Sequence, residues 1–325
     1  MSTSQALKAL LMQTGSASAA WIARSLDVGE EAVRRAANEL RAQGCGVDIS
    51  ADGRVRLDAP AGSMWPCRIR ASLNSRWAGQ RIEYYDVTSS TNAVARDLAE
   101  AGAPHGTLVI ADLQTQGRGR MTRSWVTRSG DAALMSLIVR PNGVAAARST
   151  GIVLATALAI ADACRALGID ARVKWPNDII VGGKKVCGML LDTELAGDMM
   201  AYGIIGIGLN INGSPSGEGL QHAACLRDAV GHALDRAVVV ARCLEAFEAR
   251  YEAWSAGGLE AIRADYEAAC LTLGRRVRVI GARETFEGQA LGLCGDGALT
   301  VRRDDGREER VHAGDVSVRG VMDYV

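Results

Sequence analysis

The first fifty residues repeat apolar side chains at the spacing of amphipathic helices. Leu7, Leu10 and Leu11 form the stripe of a first helix, and Ser18 can cap a second one. Residues 30–42 predict a third helix, with small and branched apolar residues on one face and arginines on the other. The chain therefore begins with three short helices.

A pattern typical of β-strands follows the third predicted helix. Residues 47–49 and 55–57 alternate apolar and polar side chains around Asp52-Gly53, which predicts a β-hairpin. Three helices followed by a hairpin are the plan of a winged helix-turn-helix, and we assign it residues 1–64.

The third helix presents Arg34, Arg35 and Arg41 outward, and these are the candidate DNA contacts. Seven cationic and seven acidic residues nevertheless balance across the helices and the hairpin, and Glu30 and Glu31 stand at the end of the helix that would approach the bases. Two interpretations therefore stay open: a DNA-binding domain with weak intrinsic affinity, or an interaction module.

The rest of the chain divides into two regions with different patterns. Residues 65–273 alternate strand and helix signals and form the candidate catalytic domain, whereas residues 274–325 consist of short strands between Gly-Asp turns and predict a small β-barrel. The apolar run 151–167 contains Asp162 and Arg165 and is too short for a membrane span, so we expect a buried helix. The fold class is α+β, with a central mixed α/β domain.

The composition of the chain indicates its solubility and its cellular compartment. The chain has 325 residues, 48% hydrophobic content and a formal net charge of zero, as expected for a soluble protein without general affinity for polyanions. Its eight cysteines show no metal-ligand spacing, and the N-terminus does not resemble a secretory leader. These features predict a cytoplasmic protein with reduced thiols.

The few lysines of this chain are concentrated in one segment. Only four lysines occur against 33 arginines, and three of them lie within residues 174–185. A lysine that is kept in so arginine-rich a chain is expected to serve as a compact point charge.

A hairpin explains how this segment is arranged. Glycines at 182–183 fit a two-residue turn between two apolar strands. The register that follows pairs Val181 with Lys184, Ile180 with Lys185, Asp178 with Cys187 and Lys174 with Leu191.

Side chains alternate between the two faces of such a hairpin. Lys174, Asp178 and Lys185 therefore share one face, on which Asp178 and Lys185 can reach a common ligand without neutralising each other. Lys184 points to the other face and is interpreted as a solvated turn lysine.

A second candidate motif is Gly-Arg-Gly-Arg at residues 117–120. Arg118 and Arg120 project to the same side of an extended loop, where they can grip a carboxylate or a phosphate. Similar pairs occur in RNA-binding tails and ordinary turns, but the surrounding sequence is not of low complexity. Two arginines and Lys185 suit a reaction between two anions, such as attack of a carboxylate on the α-phosphorus of ATP.

Other signatures are weaker. The sequence has no complete phosphate-binding P-loop, and its four histidines show no metal or triad spacing. The glycines of residues 206–210 follow an apolar strand and are interpreted as a tight turn.

In order and spacing the motifs resemble those of a bacterial biotin protein ligase of the bifunctional ligase and biotin-operon repressor family. The resemblance spans nearly the whole chain and is carried by Ser90-Thr91-Asn92, Gln114, residues 117–120 with Trp125, residues 174–178, Lys185 and residues 206–212.

The resemblance implies activation of biotin by ATP to biotinyl-5′-AMP and transfer to a lysine of the biotin carboxyl carrier protein of acetyl-CoA carboxylase. Implied biotin contacts are Ser90, Thr91, Asn92, Gln114, Arg118, Gly119, Arg120 and Lys185. Implied nucleotide contacts are Trp125, Lys174, Asn177, Asn210 and Arg319. The implied catalytic residues are Arg118, Arg120, Lys185 and Asp178, the last also as a link to Mg²⁺.

The family also implies a homodimer that binds operator DNA. Thr122 stands where the family commonly has glycine, and Glu30 and Glu31 oppose tight binding to phosphate. The alternatives are a lipoate protein ligase, which shares fold and chemistry, and a non-catalytic ligand-sensing DNA-binding regulator.

Overall fold

A computed structural model describes residues 1–120, 123–217, 220–281 and 284–313, together with the backbone of residues 316–320. The chain divides into two compact units. The first comprises Met1–Asn74 with Asp235–Ala241, and the second comprises Ser75–Leu234 with Arg242–Val325.

The first unit combines helices with a small antiparallel sheet. Its elements are α1 (Thr3–Thr14), β1 (Ser16–Ser18), α2 (Ala19–Leu26), α3 (Glu30–Ala42), β2 (Val47–Ile49), β3 (Arg54–Leu57) and α4 (Pro66–Ser72). The strand order is β1-β3-β2. The three expected helices and the hairpin are present, and β1 adds a third strand that sequence reasoning missed because it is only three residues long.

A side-chain cap and buried apolar residues explain how the helices of this unit begin and pack. Ser18 Oγ accepts a hydrogen bond from the Trp21 backbone N–H at 3.2 Å and so caps α2 as expected. Leu7, Ile22 and Val33 come from three different helices and are fully buried, which packs α1, α2 and α3 around one core.

A seven-stranded sheet organises the second unit. Its strands are β4 (Ile82–Thr88), β5 (Leu108–Gln114), β6 (Ala132–Val139), β7 (Ala171–Lys174), β8 (Asp178–Val181), β9 (Lys184–Ala196) and β10 (Met199–Asn210). Their order is β4-β5-β6-β10-β9-β8-β7, and all neighbours are antiparallel except β4 and β5. Pro176 lies between β7, an edge strand, and β8, in agreement with its inability to donate to a sheet.

The helices are α5 (Thr91–Glu100), α6 (Thr150–Ala166), α7 (Leu226–Val230), α8 (Arg236–Gly257) and α9 (Glu260–Ala269), with a short 3₁₀ helix at Ala146–Arg148. Helix α6 packs against β7, β8 and β9. Together with the 3₁₀ turn it is long and apolar enough to cross a membrane by composition alone, but 67% of its most apolar window is buried inside the protein. The prediction of a buried core helix is confirmed by this packing.

The C-terminal strands form a second antiparallel sheet. They are β11 (Arg276–Gly281), β12 (Thr285–Leu293), β13 (Leu299–Arg303), β14 (Glu308–Val311) and β15 (Val316–Gly320), in the order β14-β13-β12-β11-β15. Among the described residues the outer strands β14 and β15 do not pair with each other, so the expected closed barrel is wrong. Closure requires hydrogen bonds between the first and last strands, which sequence patterns do not specify.

Candidate functional site

The second unit contains a cavity of about 1460 Å³, lined in part by β8, β9 and β10. Every residue that was predicted to bind biotin or nucleotide lines this cavity except Arg319, whose side chain lies outside the described residues. Those residues are Ser90, Thr91, Asn92, Gln114, Arg118, Gly119, Arg120, Trp125, Lys174, Asn177, Asp178, Lys185 and Asn210.

The cavity is strongly cationic although the chain as a whole is neutral. Nine arginine and lysine side chains line it, against two aspartates, Asp170 and Asp178. An excess of one sign of charge in a partly enclosed space raises the local concentration of ligands of the opposite sign. The wall is therefore suited to a polyanion.

A neutral polar cluster lies at the start of α5. Gln114 Oε1 accepts hydrogen bonds from the Thr91 backbone N–H at 2.7 Å and from the Thr91 hydroxyl at 3.0 Å. Ser136 Oγ lies 2.6 Å from Asn92 Oδ1 and fixes the orientation of that amide. Gly206 makes this approach possible, because a Cβ at Gly206 would lie 2.3 Å from Asn92 Oδ1. Ser136 and the role of Gly206 escaped sequence reasoning, since β6 is a uniformly buried strand without a motif.

The arginine loop folds back on itself. The Gly119 N–H donates to the Arg123 carbonyl at 2.7 Å, and the Trp125 N–H donates to the Gly117 carbonyl at 2.9 Å. Thr122, the departure from the family pattern, lies outside the described residues.

The two arginines of this loop differ in environment. Arg118 is exposed, whereas Arg120 is half-buried and donates to Asn177 Oδ1 at 2.9 Å and to the Ala313 carbonyl. Burial lowers the pKa of Arg120 and the neighbouring Asp178 opposes that shift. Arg120 stays a cation because arginine titrates above about pH 12.

Trp125 lies against a glycine floor. Gly188 of β9 pairs with Gly208 of β10, and Cβ atoms added there would lie 3.0 Å and 2.4 Å from the Trp125 ring. The indole Nε1 is buried, and no described residue accepts its hydrogen bond. Residues 206–210 are thus the end of a strand rather than the expected tight turn, and their glycines make room for side chains that cross the sheet.

The lysine hairpin has the predicted turn. Gly182 and Gly183 both have positive φ values, 56° and 76°, and Ile180 pairs with Lys185 as expected. A bulge at Val186 then shifts the register, so that Asp178 faces Gly188 and not Cys187.

The remaining predicted pair was also wrong. Lys174 belongs to a separate strand, β7, and pairs with Asp178 instead of Leu191, because residues 175–177 turn the chain back. Directly paired residues share a face, so Lys174, Asp178 and Lys185 still lie on one face of the sheet.

Lys185 and Asp178 contact each other directly. Lys185 Nζ lies 2.6 Å from Asp178 Oδ1, in contrast to the expectation that they would not neutralise each other. The same ammonium lies 5.6 Å from the centre of the Trp125 ring. The bulge explains the short distance, because it places Gly188 rather than a larger side chain beside the two groups.

The backbone of Lys185 is held by a neighbouring segment. Its N–H donates to the His222 carbonyl at 2.7 Å, and its carbonyl accepts from the Ala224 N–H at 2.9 Å. Asn210 Nδ2 donates to the Ala224 carbonyl at 3.0 Å and so ties this segment to the end of β10, whereas Asn210 Oδ1 is buried without a partner among the described residues. Residues 222–224 extend the sheet where β10 ends.

The part of the chain that the structure describes contains no group of three or more His, Cys, Asp or Glu side chains that could hold a metal ion. Mg²⁺ is commonly bound by one or two carboxylates together with substrate phosphates. Asp178, at the cavity wall, fits that smaller role.

The predicted DNA contacts belong to the first unit. Arg34, Arg35 and Arg41 are exposed on α3, and Glu30 and Glu31 are exposed in its first turn. Arg41 also donates to the Val47 carbonyl at 2.6 Å, which fixes part of its guanidinium within the domain.

Comparisons with known proteins identify the family. Residues 84–210 match the model of the biotin/lipoate A/B protein ligase family, and residues 272–319 match that of the biotin protein ligase C-terminal domain.

Similar whole proteins are known as well. The chain is 35% identical to the bifunctional ligase/repressor BirA of Bacillus subtilis over 91% of this chain and 92% of that protein. It is 33% identical to the biotin–[acetyl-CoA-carboxylase] ligase of Mycobacterium tuberculosis over 77% of this chain and 97% of that protein. The solved biotin protein ligase of Aquifex aeolicus, in complex with biotin and ATP, superimposes with a TM-score of 0.64 at 26% identity and covers 74% of this chain and 99% of that one.

Proposed function

This chain belongs to the biotin protein ligase family, and from that premise we propose that it activates biotin with ATP and transfers it to a carrier protein. A biotin carboxylate oxygen attacks the α-phosphorus, the bond to the β-phosphate breaks, and biotinyl-5′-AMP and pyrophosphate form. A carrier lysine amine then attacks the carbonyl carbon, and AMP leaves.

One observation carries this proposal: motifs that are far apart in sequence line a single cavity with nine cations and two acids. Biotin and ATP are both anions, and they repel each other unless fixed positive charge holds them together. Arg120 and Lys185 supply that charge at the reacting centre, and they also stabilise the charge that develops as pyrophosphate leaves.

Biotin binds beside the neutral cluster at the start of α5. Ser90, Thr91, Asn92 and Gln114 offer hydroxyl and amide groups to its polar ring, while Lys185, Arg118 and Arg120 face its carboxylate. The loop that carries Arg118, Gly119 and Arg120 closes over the adenylate and excludes water that would hydrolyse it.

The nucleotide occupies the other part of the cavity. Trp125, which is held against Gly188 and Gly208, packs near the adenine, and its unpartnered indole N–H offers a donor. The remaining nucleotide contacts are Lys174, Asn177, Asn210 and Arg319. Asp178 is the carboxylate that would hold Mg²⁺ arriving with ATP, and the metal would neutralise phosphate charge.

The acceptor in this proposal is the biotin carboxyl carrier protein of acetyl-CoA carboxylase. The test incubates an isolated carrier domain with the chain, biotin, ATP and Mg²⁺ and measures the carrier mass. We expect one added biotin, and none when ATP is omitted. No addition beside an active reference ligase would contradict the proposal, and addition of lipoate in place of biotin would make the chain a lipoate ligase.

A second role is favoured by the relatives named ligase/repressor. We propose that residues 1–64 form a winged helix-turn-helix, residues 65–273 the ligase domain and residues 274–325 a small C-terminal domain. Arg34, Arg35 and Arg41 would contact operator DNA when the protein is a dimer that holds its adenylate. We also propose a cytoplasmic location, where the carrier and the DNA are found.

A further inference from the structure

Arg172 is a cation of the cavity wall that no sequence motif singles out. It lies in β7, lines the cavity and is half-buried. Arg172 pairs with Ile180, and Ile180 pairs with Lys185, so all three belong to one row across the sheet. Directly paired residues point to the same face, so Arg172 lies on the face of Lys185 and Asp178.

The row fixes the distance of Arg172 from the reacting centre. Two cross-strand steps of about 5 Å each separate it from Lys185. A ligand that is bound at Lys185 through one phosphate and continues as a chain of further phosphates spans this separation between the two backbones.

The charge of Arg172 is available for such a ligand. Lys185 pairs with Asp178 at 2.6 Å, and Arg278, another cation of the wall, donates to Glu287 at 2.7 Å and 2.9 Å. Among the described residues Arg172 forms no ion pair, and Asp170, which directly precedes β7, is exposed. A half-buried guanidinium without an acidic partner is suited to a bidentate contact with phosphate oxygens.

We propose that Arg172 binds the β- and γ-phosphates of ATP and holds pyrophosphate as it leaves, an assignment that rests on the proposed function. As the bond between the α-phosphorus and the bridging oxygen breaks, its electron pair moves onto pyrophosphate. Arg172 compensates the charge that accumulates there, while Lys185 and Arg120 remain with the adenylate. It contacts neither biotin nor AMP.

The first experiment measures binding of inorganic pyrophosphate to the full chain by calorimetry. Arg172→Gln should weaken it about ten- to a hundredfold, the range for loss of a hydrogen bond to a charged group. Arg172→Lys should recover part of the affinity. Arg128→Gln removes an exposed guanidinium that does not line the cavity and should change the affinity far less. Equal losses in the Arg172 and Arg128 variants, or none, would overturn the assignment.

The second experiment separates the two half-reactions. Arg172→Gln should slow formation of biotinyl-5′-AMP from biotin and ATP, but it should transfer biotin from supplied biotinyl-5′-AMP to the carrier at the rate of the unchanged chain. Equal loss in both steps would show a general structural defect and overturn the assignment. Failure of the unchanged chain in both steps would contradict the proposed function, and the pyrophosphate measurement would still decide on Arg172.

Discussion

Charge is arranged in opposite ways in the helices and hairpin of the first unit and in the cavity of the second. In residues 1–64 of the first unit, seven cations balance seven acids. In the cavity of the second unit, nine cations face two acids, within a chain whose formal net charge is zero. A net charge of zero therefore neither predicts nor excludes a local binding site for a polyanion.

The partners of these charges differ as well. Arg56 lies 3.3 Å from Asp58 in the first unit, and both side chains are largely exposed, so the pair contributes little to stability. In the cavity the ion pair of Lys185 and Asp178 is mostly buried, and Arg172 forms no ion pair within the described residues. Anion affinity is therefore expected mainly from the cavity and only weakly from the first unit.

The strongest test of this contrast removes Lys185. Lys185→Ala should cost about 2–4 kcal/mol of transition-state stabilisation in adenylate formation, as for loss of one preorganised charge-stabilising donor. Single-turnover measurements with biotin and ATP give this value. Lys184→Ala removes the neighbouring ammonium, which lines the cavity but is exposed in the turn, and should lose far less. Similar losses in both variants would mean that the cavity acts only through its total charge.

A smaller effect is expected when the shape of the cavity changes and its charge does not. Gly208→Ala places a methyl group 2.4 Å from the Trp125 ring. Overpacking of this kind costs about 1–3 kcal/mol, divided between the free energy of unfolding and the free energy of ATP binding. Denaturant unfolding and calorimetry measure the two parts.

Gly292→Ala in β12 is the control for Gly208→Ala, because no atom lies within 4 Å of the added carbon. It should leave both free energies nearly unchanged. If Gly208→Ala behaves like this control, Trp125 moves freely and the glycine floor does not shape the nucleotide site.

The exposed arginine of the loop should have a weaker influence still. Arg118→Gly should release biotinyl-5′-AMP about tenfold faster, the scale of one lost charge-assisted contact. Labelled biotin and ATP without carrier, followed by rapid filtration, measure the adenylate that is retained. Arg128→Gly changes another exposed arginine and should retain it normally. If Arg118→Gly retains the adenylate as well as the unchanged chain does, Arg118 does not help the loop to close over the adenylate.

The smallest effect is expected in the first unit. Arg34→Ala should reduce the salt dependence of binding to DNA from its biotin genes by about one phosphate contact, and only when biotin and ATP are present. Gel shifts over a salt series measure this slope, with Arg302→Ala as a control in the second unit. If no shift occurs in any condition while ligase activity is intact, residues 1–64 have a structural role and do not bind this DNA.

The lysine hairpin shows what local sequence can and cannot predict. Glycines 182–183 determine the turn, and the turn determines the first two pairs, which were confirmed. The bulge at Val186 lies only one residue further on, yet it depends on packing across the sheet and no local pattern indicates it. The shared face of Asp178 and Lys185 is correct although the pair assigned to Asp178 was one residue out of register.

Residues that act through neighbours distant in sequence were the ones missed. Ser136 and Arg172 belong to no sequence motif. Arg172 lines the cavity and Ser136 holds Asn92 of its wall only because β7 and β6 take particular places in the sheet. The same limitation affected residues 206–210, which resemble a turn in sequence but form part of a strand. The C-terminal strands were located correctly, whereas their expected closure into a barrel was wrong.

The segment at residues 222–224 has a consequence for how this protein can vary. Connections between strands and helices usually tolerate insertions and deletions, because their length costs little free energy. Here the His222 carbonyl and the Ala224 N–H hold both backbone groups of Lys185. A residue gained or lost between His222 and Ala224 would break one of these two hydrogen bonds or move it to another residue. Libraries for engineering should therefore keep the length of residues 222–224 constant.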